Sequence, residues 1–391
     1  MREGWTYKKL GEVGSFLRGK SIQKADFVEQ GMPCIHYGQI HTKFGVSVNK
    51  HLSEIPIELY NKSIIASPGD VIIAITSEDL EGSCKSTAWL GDYDVAVSAH
   101  AAVYKHNLNP KFIAYYLRSN SFYTEKEKYA RGFKVMEIKP TDIAQIPLPI
   151  PSVEVQQSIV AELDKINELI SLKKAQLSDL DSLAQSIFYD MFGDPIENEK
   201  GWEVKKLGEI CDVRDGTHDS PQYLSESEYF LITSKNIQGD IIDYANVNYI
   251  SKEDYDSINK RSYVDEGDII MGMIGTIGKP IIVHKNNLKF CVKNVALIKF
   301  PESCLVKNVY VKALLDNDSY KQYLLSLNKG GTQKFVALGT LRTLKCPLPP
   351  LSLQQEFAKR IELIEQQKAQ ISSTIKDLET LLASRMQHWF D

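Results

Sequence analysis

Six short runs of the 391-residue chain gather basic and polar side chains in glycine-rich or turn-forming company. Three lie in the first half: Arg18-Gly19-Lys20-Ser21, the stretch from His36 through Tyr37, Gln39 and His41 to Lys43, and Arg131-Gly132-Phe133-Lys134. Three lie in the second: Arg214-Asp215-Gly216-Thr217-His218, Thr233-Ser234-Lys235-Asn236 and Gly330-Gly331-Thr332-Gln333-Lys334. Lysine, arginine and the amides of glycine turns bind phosphate oxygens, while Arg, Lys, Asn, Gln, Ser, Thr and His match the donor and acceptor edges of bases. Any one run is an ordinary solvated turn. Recurrence in both halves favours nucleic-acid contact through Arg18, Lys20, Ser21, His36, Tyr37, Gln39, His41, Lys43, Arg131 and Lys134, and through Arg214, Thr217, His218, Ser234, Lys235, Asn236, Thr332, Gln333 and Lys334.

Catalytic patterns fail on spacing. The run from Gly272 to Lys279 looks like a phosphate loop, but Met273 stands where glycine is needed and Pro280 where Ser or Thr is needed. No G-x-S-x-G elbow or H-E-x-x-H pair occurs, and the eight histidines lack metal-ligand spacing. Glu137-Ile138-Lys139 has the tail of a nuclease acid-x-Lys pattern, with no metal-binding aspartate visibly paired to it. An amino-methyltransferase needs an Asn/Asp-Pro-Pro-aromatic loop for a flipped base, and Asp194-Pro195 is followed by Ile196. The chain reads as a binding component with no catalytic site and no bound cofactor or metal of its own.

The elements that must position the polar runs come from a duplication. Gly4-Trp5 with Lys8-Lys9-Leu10-Gly11-Glu12-Val13 returns 197 residues on as Gly201-Trp202 with Lys205-Lys206-Leu207-Gly208-Glu209-Ile210. Gly69-Asp70-Val71-Ile72 returns at Gly267-Asp268-Ile269-Ile270, Pro147-Leu148-Pro149 at Pro347-Leu348-Pro349, and Gln156-Gln157 at Gln354-Gln355. The period is too long for a solenoid and describes one domain-plus-helix unit, repeated. Each unit has short β-rich runs separated by Gly, Asn and Asp, then a proline hinge, then a segment free of Pro and Gly, Ser152 to Phe192 or Leu351 to Phe390. Ser352 with Gln355 predicts a capping box at the start of the second helix.

Both segments carry a heptad seam. In the first it runs through Ile159, Leu163, Ile166, Ile170, Leu177, Leu180 and Ile187, interrupted chemically at Lys173; in the second through Phe357, Ile361, Ile364, Ile371, Ile375, Leu378 and Leu382. So narrow a stripe suits one or two partner helices. Thirty-two residue steps from Ile159 to Met191 make a rod of ~48 Å, against ~34–36 Å for one turn of duplex DNA.

Net charge is −4 and hides an asymmetry: residues 1–150 carry +2, residues 151–200 carry −6, residues 201–350 carry +1 and residues 351–391 carry −1. Mildly basic globular parts on an acidic first helix permit local nucleic-acid patches. Six scattered cysteines form no C-x-x-C, and no apolar run has the length of a signal peptide core or a membrane span, which predicts a cytoplasmic protein without membrane contact.

The chain resembles the specificity subunit of type I restriction-modification systems over essentially its full length. The resemblance is carried by the two Trp-x2-Lys-Lys-Leu-Gly-Glu starts, the Pro-Leu-Pro hinges leading into Gln156-Gln157 and Gln354-Gln355, and the segment from Leu183 to Met191-Phe192-Gly193-Asp194. Gly31-Met32-Pro33-Cys34-Ile35-His36-Tyr37-Gly38 and Asp215-Gly216-Thr217-His218 with Pro221 resemble the openings of such recognition domains. It implies an α+β fold with two β-rich target-recognition domains, residues 1–151 and 195–350, and two spacer helices, residues 152–194 and 351–391, packed as an antiparallel coiled coil with pseudo-two-fold symmetry. It further implies an asymmetric bipartite site on double-stranded DNA and a role without catalysis. Two methyltransferase subunits would bring adenosylmethionine, and restriction/translocase subunits would bring ATP and Mg2+. Two other readings share some of these features: a recognition subunit of a two-subunit restriction enzyme that cuts beside its site, and a coiled-coil protein adaptor.

Overall fold

The duplicated Leu-Gly-Glu starts are one-turn helices wedged under a neighbouring turn. Leu10 and Gly11 donate backbone amides to Ile146 and Ala144, and Leu207 donates to Leu344. Glu12 and Glu209 each accept the backbone N–H of the lysine three residues earlier, at 3.2 and 3.0 Å. A Cβ on Gly11 would stand 2.9 Å from that of Ala144, and one on Gly208 3.0 Å from that of Arg342, so the repeated glycine is a close-approach residue. The computed structural model describes residues 4–132, 135–238, 241–273, 278–285, 287–327 and 336–391. It divides into two units, residues 1–174 with 373–391, and residues 175–372.

In the first unit Thr6–Lys9 pairs antiparallel with Pro147–Ile150, tying the start of the domain to its exit. A five-stranded sheet runs in the order Gly14–Arg18, Ala101–His106, Val71–Ala74, Ser86–Trp89, Ser47–Val48. A four-stranded sheet runs Ser53–Ile55, Met32–Ile35, Val95–Val97, Ile64–Ala66, with its two middle strands parallel. Val71–Ala74 is buried on both faces. Its alternate side chains divide between two cores: Val71 and Ile73 join Phe112, Tyr116 and Leu148, and Ile72 and Ala74 join Ile35, Trp89 and Val97.

The second unit repeats that plan. Glu203–Lys206 pairs with Lys345–Leu348. Asp212–Asp215, Val295–Lys299, Ile269–Gly272 and Gly278–Ile282 form one sheet, and Asn248–Tyr249, Tyr229–Ile232 and Lys289–Val292 another, with its central strand Tyr229–Ile232 parallel to Lys289–Val292. Asp70 meets Lys105 at 2.7 Å and Asp268 meets Lys299 at 2.6 Å, matching ion pairs beside the repeated Gly-Asp turn. The domains are less purely β than the sequence suggests. Helices Pro110–Tyr116, Asn120–Glu127, Lys252–Ser262, Asn308–Asp316 and Asp318–Ser326 pack on the sheets, short enough for their periodicity to pass unnoticed.

Two 40-residue helices, Val153–Phe192 and Leu351–Phe390, follow the hinges. The capping box expected at Ser352 is absent because Ser352 lies inside the helix, and the Pro350 carbonyl accepts from Leu353 and Gln354 instead. The capping serine is Ser152, at the start of the first helix, whose hydroxyl accepts from Val155 at 3.4 Å. All the named seam residues are buried or half-buried. In the first unit Glu162 bonds Arg385 and Trp389, and Lys174 meets Glu379 at 2.9 Å. In the second, Lys368 meets Asp181 at 2.8 Å, while Phe357 packs on Phe188 and Phe192 at 5.9 and 5.1 Å. In each unit rising numbers on one helix meet falling numbers on the other, so the helical segments are antiparallel. Their ends broaden into the domain cores: Ile159 and Leu163 in one, Phe188, Phe192 and Phe357 in the other.

Buried glutamines lock each helix to its domain. Gln156 accepts from the Asn109 amide at 3.2 Å and donates to the Pro151 carbonyl at 3.0 Å. Gln354 accepts from Lys307 at 2.8 Å and donates to Pro349 at 2.9 Å and Leu305 at 3.2 Å. This explains why the first glutamine of each Gln-Gln pair recurs after the hinge.

Candidate nucleic-acid interface

The strand Gly14–Arg18 ends at Gly19, where a Cβ would collide with the Ser98 carbonyl. Lys20 then bridges to Ser98 and leaves the sheet with Ser21, both exposed. Asp212–Asp215 ends the same way at Gly216, against Val292, and Thr217 bridges to Lys293. The residue facing each turn is non-glycine with a left-handed backbone, His100 (φ +64°) and Asn294 (φ +56°). Such strain gathers where local geometry is held for a purpose. Thus the runs Arg18–Ser21 and Asp215–His218, which look unrelated as sequence, occupy one structural position filled with different chemistry.

The runs beginning at His36 and Thr233 are equivalent too. Each follows an inner strand and caps a turn reciprocally. The His36 ring accepts from Gly38 at 3.2 Å while Gln39 accepts from the His36 amide at 3.0 Å. Thr233 accepts from Lys235 at 3.3 Å while Asn236 accepts from the Thr233 amide at 2.9 Å. Tyr37 and Ser234 therefore share a position, as do Gly38 and Lys235.

Six separated segments of the first domain converge there. Tyr37 packs its ring near His36, His41 and His100, at 4.5, 6.2 and 5.2 Å, and its amide donates to the Ser98 hydroxyl at 2.8 Å. His41 is fixed by the Thr76 carbonyl at 3.0 Å, Gln39 by the Ser53 hydroxyl at 2.7 Å, and Arg18 by Glu137 at 2.8 Å. Arg131 meets Asp142 at 3.6 Å, and Lys43 is exposed. Burial, with Lys24 and His100 nearby, lowers the pKa of His36 and keeps it neutral. With its ring capping the turn, His36 shapes the surface more than it touches a ligand. Beside this cluster a cavity of about 1010 Å3 is lined by Tyr37, His41, Thr76, Lys85, Arg118 and Lys126. Those three cations donate to backbone carbonyls, as Lys85 does to His41 at 2.7 Å, so they brace the wall.

In the second domain Arg214 donates twice to Asp212, at 2.8 and 2.6 Å, and once to the Arg261 carbonyl at 2.8 Å, which makes it a latch. Asn236 is buried, with both ends of its amide used by Thr233, Asp243 and Asn246. Thr217 accepts from the Asp219 amide at 3.1 Å. His218 faces Asn294 and Asp215, both at 2.8 Å, and these partners raise its pKa. Ser234 is half-buried and Lys235 exposed. Lys134, Thr332, Gln333 and Lys334 lie outside the described residues.

Sequence reasoning missed His100, Arg261 and Asn294. Nothing local marks them, since each joins its cluster from a distant segment. Glu137, set aside above as the acid of an incomplete nuclease tail, is the partner of Arg18. Among the described residues no group of three or more His, Cys, Asp or Glu could hold a metal ion, and no helix is long and apolar enough to cross a membrane.

Comparison with known proteins agrees with this duplicated architecture. The family model "Type I restriction modification DNA specificity domain" matches twice, at residues 2–181 and 199–380. The type I restriction enzyme MjaVIII specificity subunit of Methanocaldococcus jannaschii is 20% identical over 414 residues, covering 97% of this chain and 92% of the relative. The crystal structure of a type I restriction-modification S subunit from M. genitalium has a TM-score of 0.53 at 15% identity, covering 98% of this chain and 95% of that one. A chain from a structural study of complex assembly and conformational transition in a type I system has a TM-score of 0.60 at 19% identity, covering 100% and 98%. At these identities the structural likenesses establish the fold alone. With two family domains across nearly all its length, this chain belongs to the type I restriction-modification DNA specificity family and is a non-catalytic, sequence-recognising subunit of a type I system.

Proposed function

We propose that the chain reads an asymmetric, bipartite site on double-stranded DNA, each domain reading one half-site. The carrying observation is that one scaffold is built twice with different side chains at matching positions: Arg18, Lys20, Ser21 and Tyr37 in one domain, Asp215, Thr217, His218 and Ser234 in the other. In this reading Lys20, Ser21, Tyr37, Lys43, Ser234 and Lys235 touch DNA, while His36, Gln39, Arg214 and Asn236 hold the turns that present them. The recognition domains are residues 1–151 and 195–350. The helices at 152–194 and 351–391 form an antiparallel coiled-coil spacer that sets the unread gap between the half-sites.

A duplicated chain presents two equivalent docking surfaces, which suits two copies of one methyltransferase partner. Adenosylmethionine would then be bound by those subunits, and ATP and Mg2+ by restriction/translocase subunits, all within the cytoplasm. Binding of the assembled complex to randomised duplexes, followed by sequencing of the bound fraction, tests this. Two unlike half-sites separated by a fixed gap are expected, and binding without sequence preference would refute it.

A further inference from the structure

We propose that Arg261 is a guanine-reading side chain of the second domain, held in place by Asp215 and His218. This deepens the DNA-recognition reading and rests on it. Asp215 ends a strand and is 7% exposed. One carboxylate oxygen accepts from Arg261 Nη2 at 2.5 Å, and the other faces His218 Nε2 at 2.8 Å. His218 Nδ1 in turn faces the Asn294 side-chain oxygen at 2.8 Å, and Asn294 has a strained left-handed backbone. With an acceptor on each side, the imidazole is held as a double donor. His218 therefore has no ring nitrogen left for DNA, and its part is to fix the carboxylate.

The backbone of Arg261 is fixed as well. It lies in the last turn of Lys252–Ser262, and its carbonyl accepts from Arg214, which Asp212 pins. Yet the Arg261 side chain is 69% exposed. A guanidinium has five N–H donors, so one bond to Asp215 leaves enough for a two-pronged contact. The ligand matching a planar pair of donors in the major groove is the O6 and N7 edge of guanine. Pairing with Asp215 offsets much of the guanidinium's charge, which disfavours a purely phosphate role and favours a directional one. In the first domain the positions of Asp215, His218 and Asn294 hold Arg18, Ser21 and His100, so this device belongs to one half-site only.

The test uses the chain assembled with its methyltransferase partner and a pool of duplexes randomised over both half-sites, with the bound fraction sequenced. The wild-type complex is expected to require guanine at one position of one half-site. Arg261→Ala is expected to cut that preference by about tenfold to a hundredfold while the other half-site stays unchanged. Asp215→Asn and His218→Gln should weaken the same position and no other. Arg261→Lys, which keeps the charge, should also lose the guanine preference while retaining affinity. The assignment is overturned if that half-site has no required guanine, or if the Arg261 variants lose affinity uniformly with base preference intact. If the wild-type complex selects no sequence at all, the DNA-recognition reading itself fails.

Discussion

Replacing Gln354 by leucine keeps most of the side-chain volume and removes three hydrogen bonds at a fully buried position. The Lys307 amide loses its acceptor, a buried loss of ~1–3 kcal/mol, and two carbonyls each lose a donor worth ~0.5–1.5 kcal/mol. Discounting for relaxation, the cost is about 3 kcal/mol, or roughly a hundredfold increase in local opening. A multi-domain chain does not melt in one step, so a single unfolding energy is the wrong readout. Native-state hydrogen exchange of the amides from 353 to 361 is the right one. Gln355→Leu next door, at an exposed position, is the control and should change little. Equal protection in the two variants would refute the idea that the repeated glutamine locks helix to domain.

Three further outcomes follow from the same structure. Deleting one heptad from each long helix, residues 173–179 and 370–376, shortens the proposed spacer by ~10 Å. The sequenced gap should then shrink by about 3 base pairs at ~3.4 Å each, with both half-sites unchanged; an unaltered gap would refute the spacer role. Burial pushes His106 down to about 4 from its ordinary 6.5, and its Nε2 has no hydrogen-bond partner among the described residues. Its contribution to the first domain is complete above pH 6.5 and falls away as pH drops towards 4, by roughly 3 kcal/mol in all. Native-state hydrogen exchange of the amides in the Ala101–His106 strand between pH 7 and 4.5, corrected for the intrinsic pH dependence of exchange, should show that slope, and His106→Gln should flatten it. Complex binding to DNA should weaken steeply with added salt, since phosphate contacts release counterions; a salt-independent affinity would contradict contact through Lys20, Lys43 and Lys235.

The duplication, both long helices and the seam were legible because they are long, free of proline and glycine, and strictly periodic. The capping residue was misplaced because the two hinges differ: Pro350 occupies the position that Ser152 fills in the first unit, so the local pattern at Ser352 misled. The equivalence of the His36 and Thr233 turns was invisible because what repeats is a backbone role, reciprocal capping, performed by unlike residues. Glycine at 19 and 216 was visible as a turn residue, but not as a close approach to another strand. The networks through Arg18 and Glu137, and through Asp215, Arg261 and Asn294, join residues 46 to 119 positions apart, and no local pattern encodes such pairing.

The most direct test of the central account is to sequence methylated bases in the genome of a cell carrying the complete system, with and without this chain. The account predicts one motif that depends on this chain, made of two unlike half-sites at a fixed separation. A palindromic motif, or methylation indifferent to removal of the chain, would contradict it.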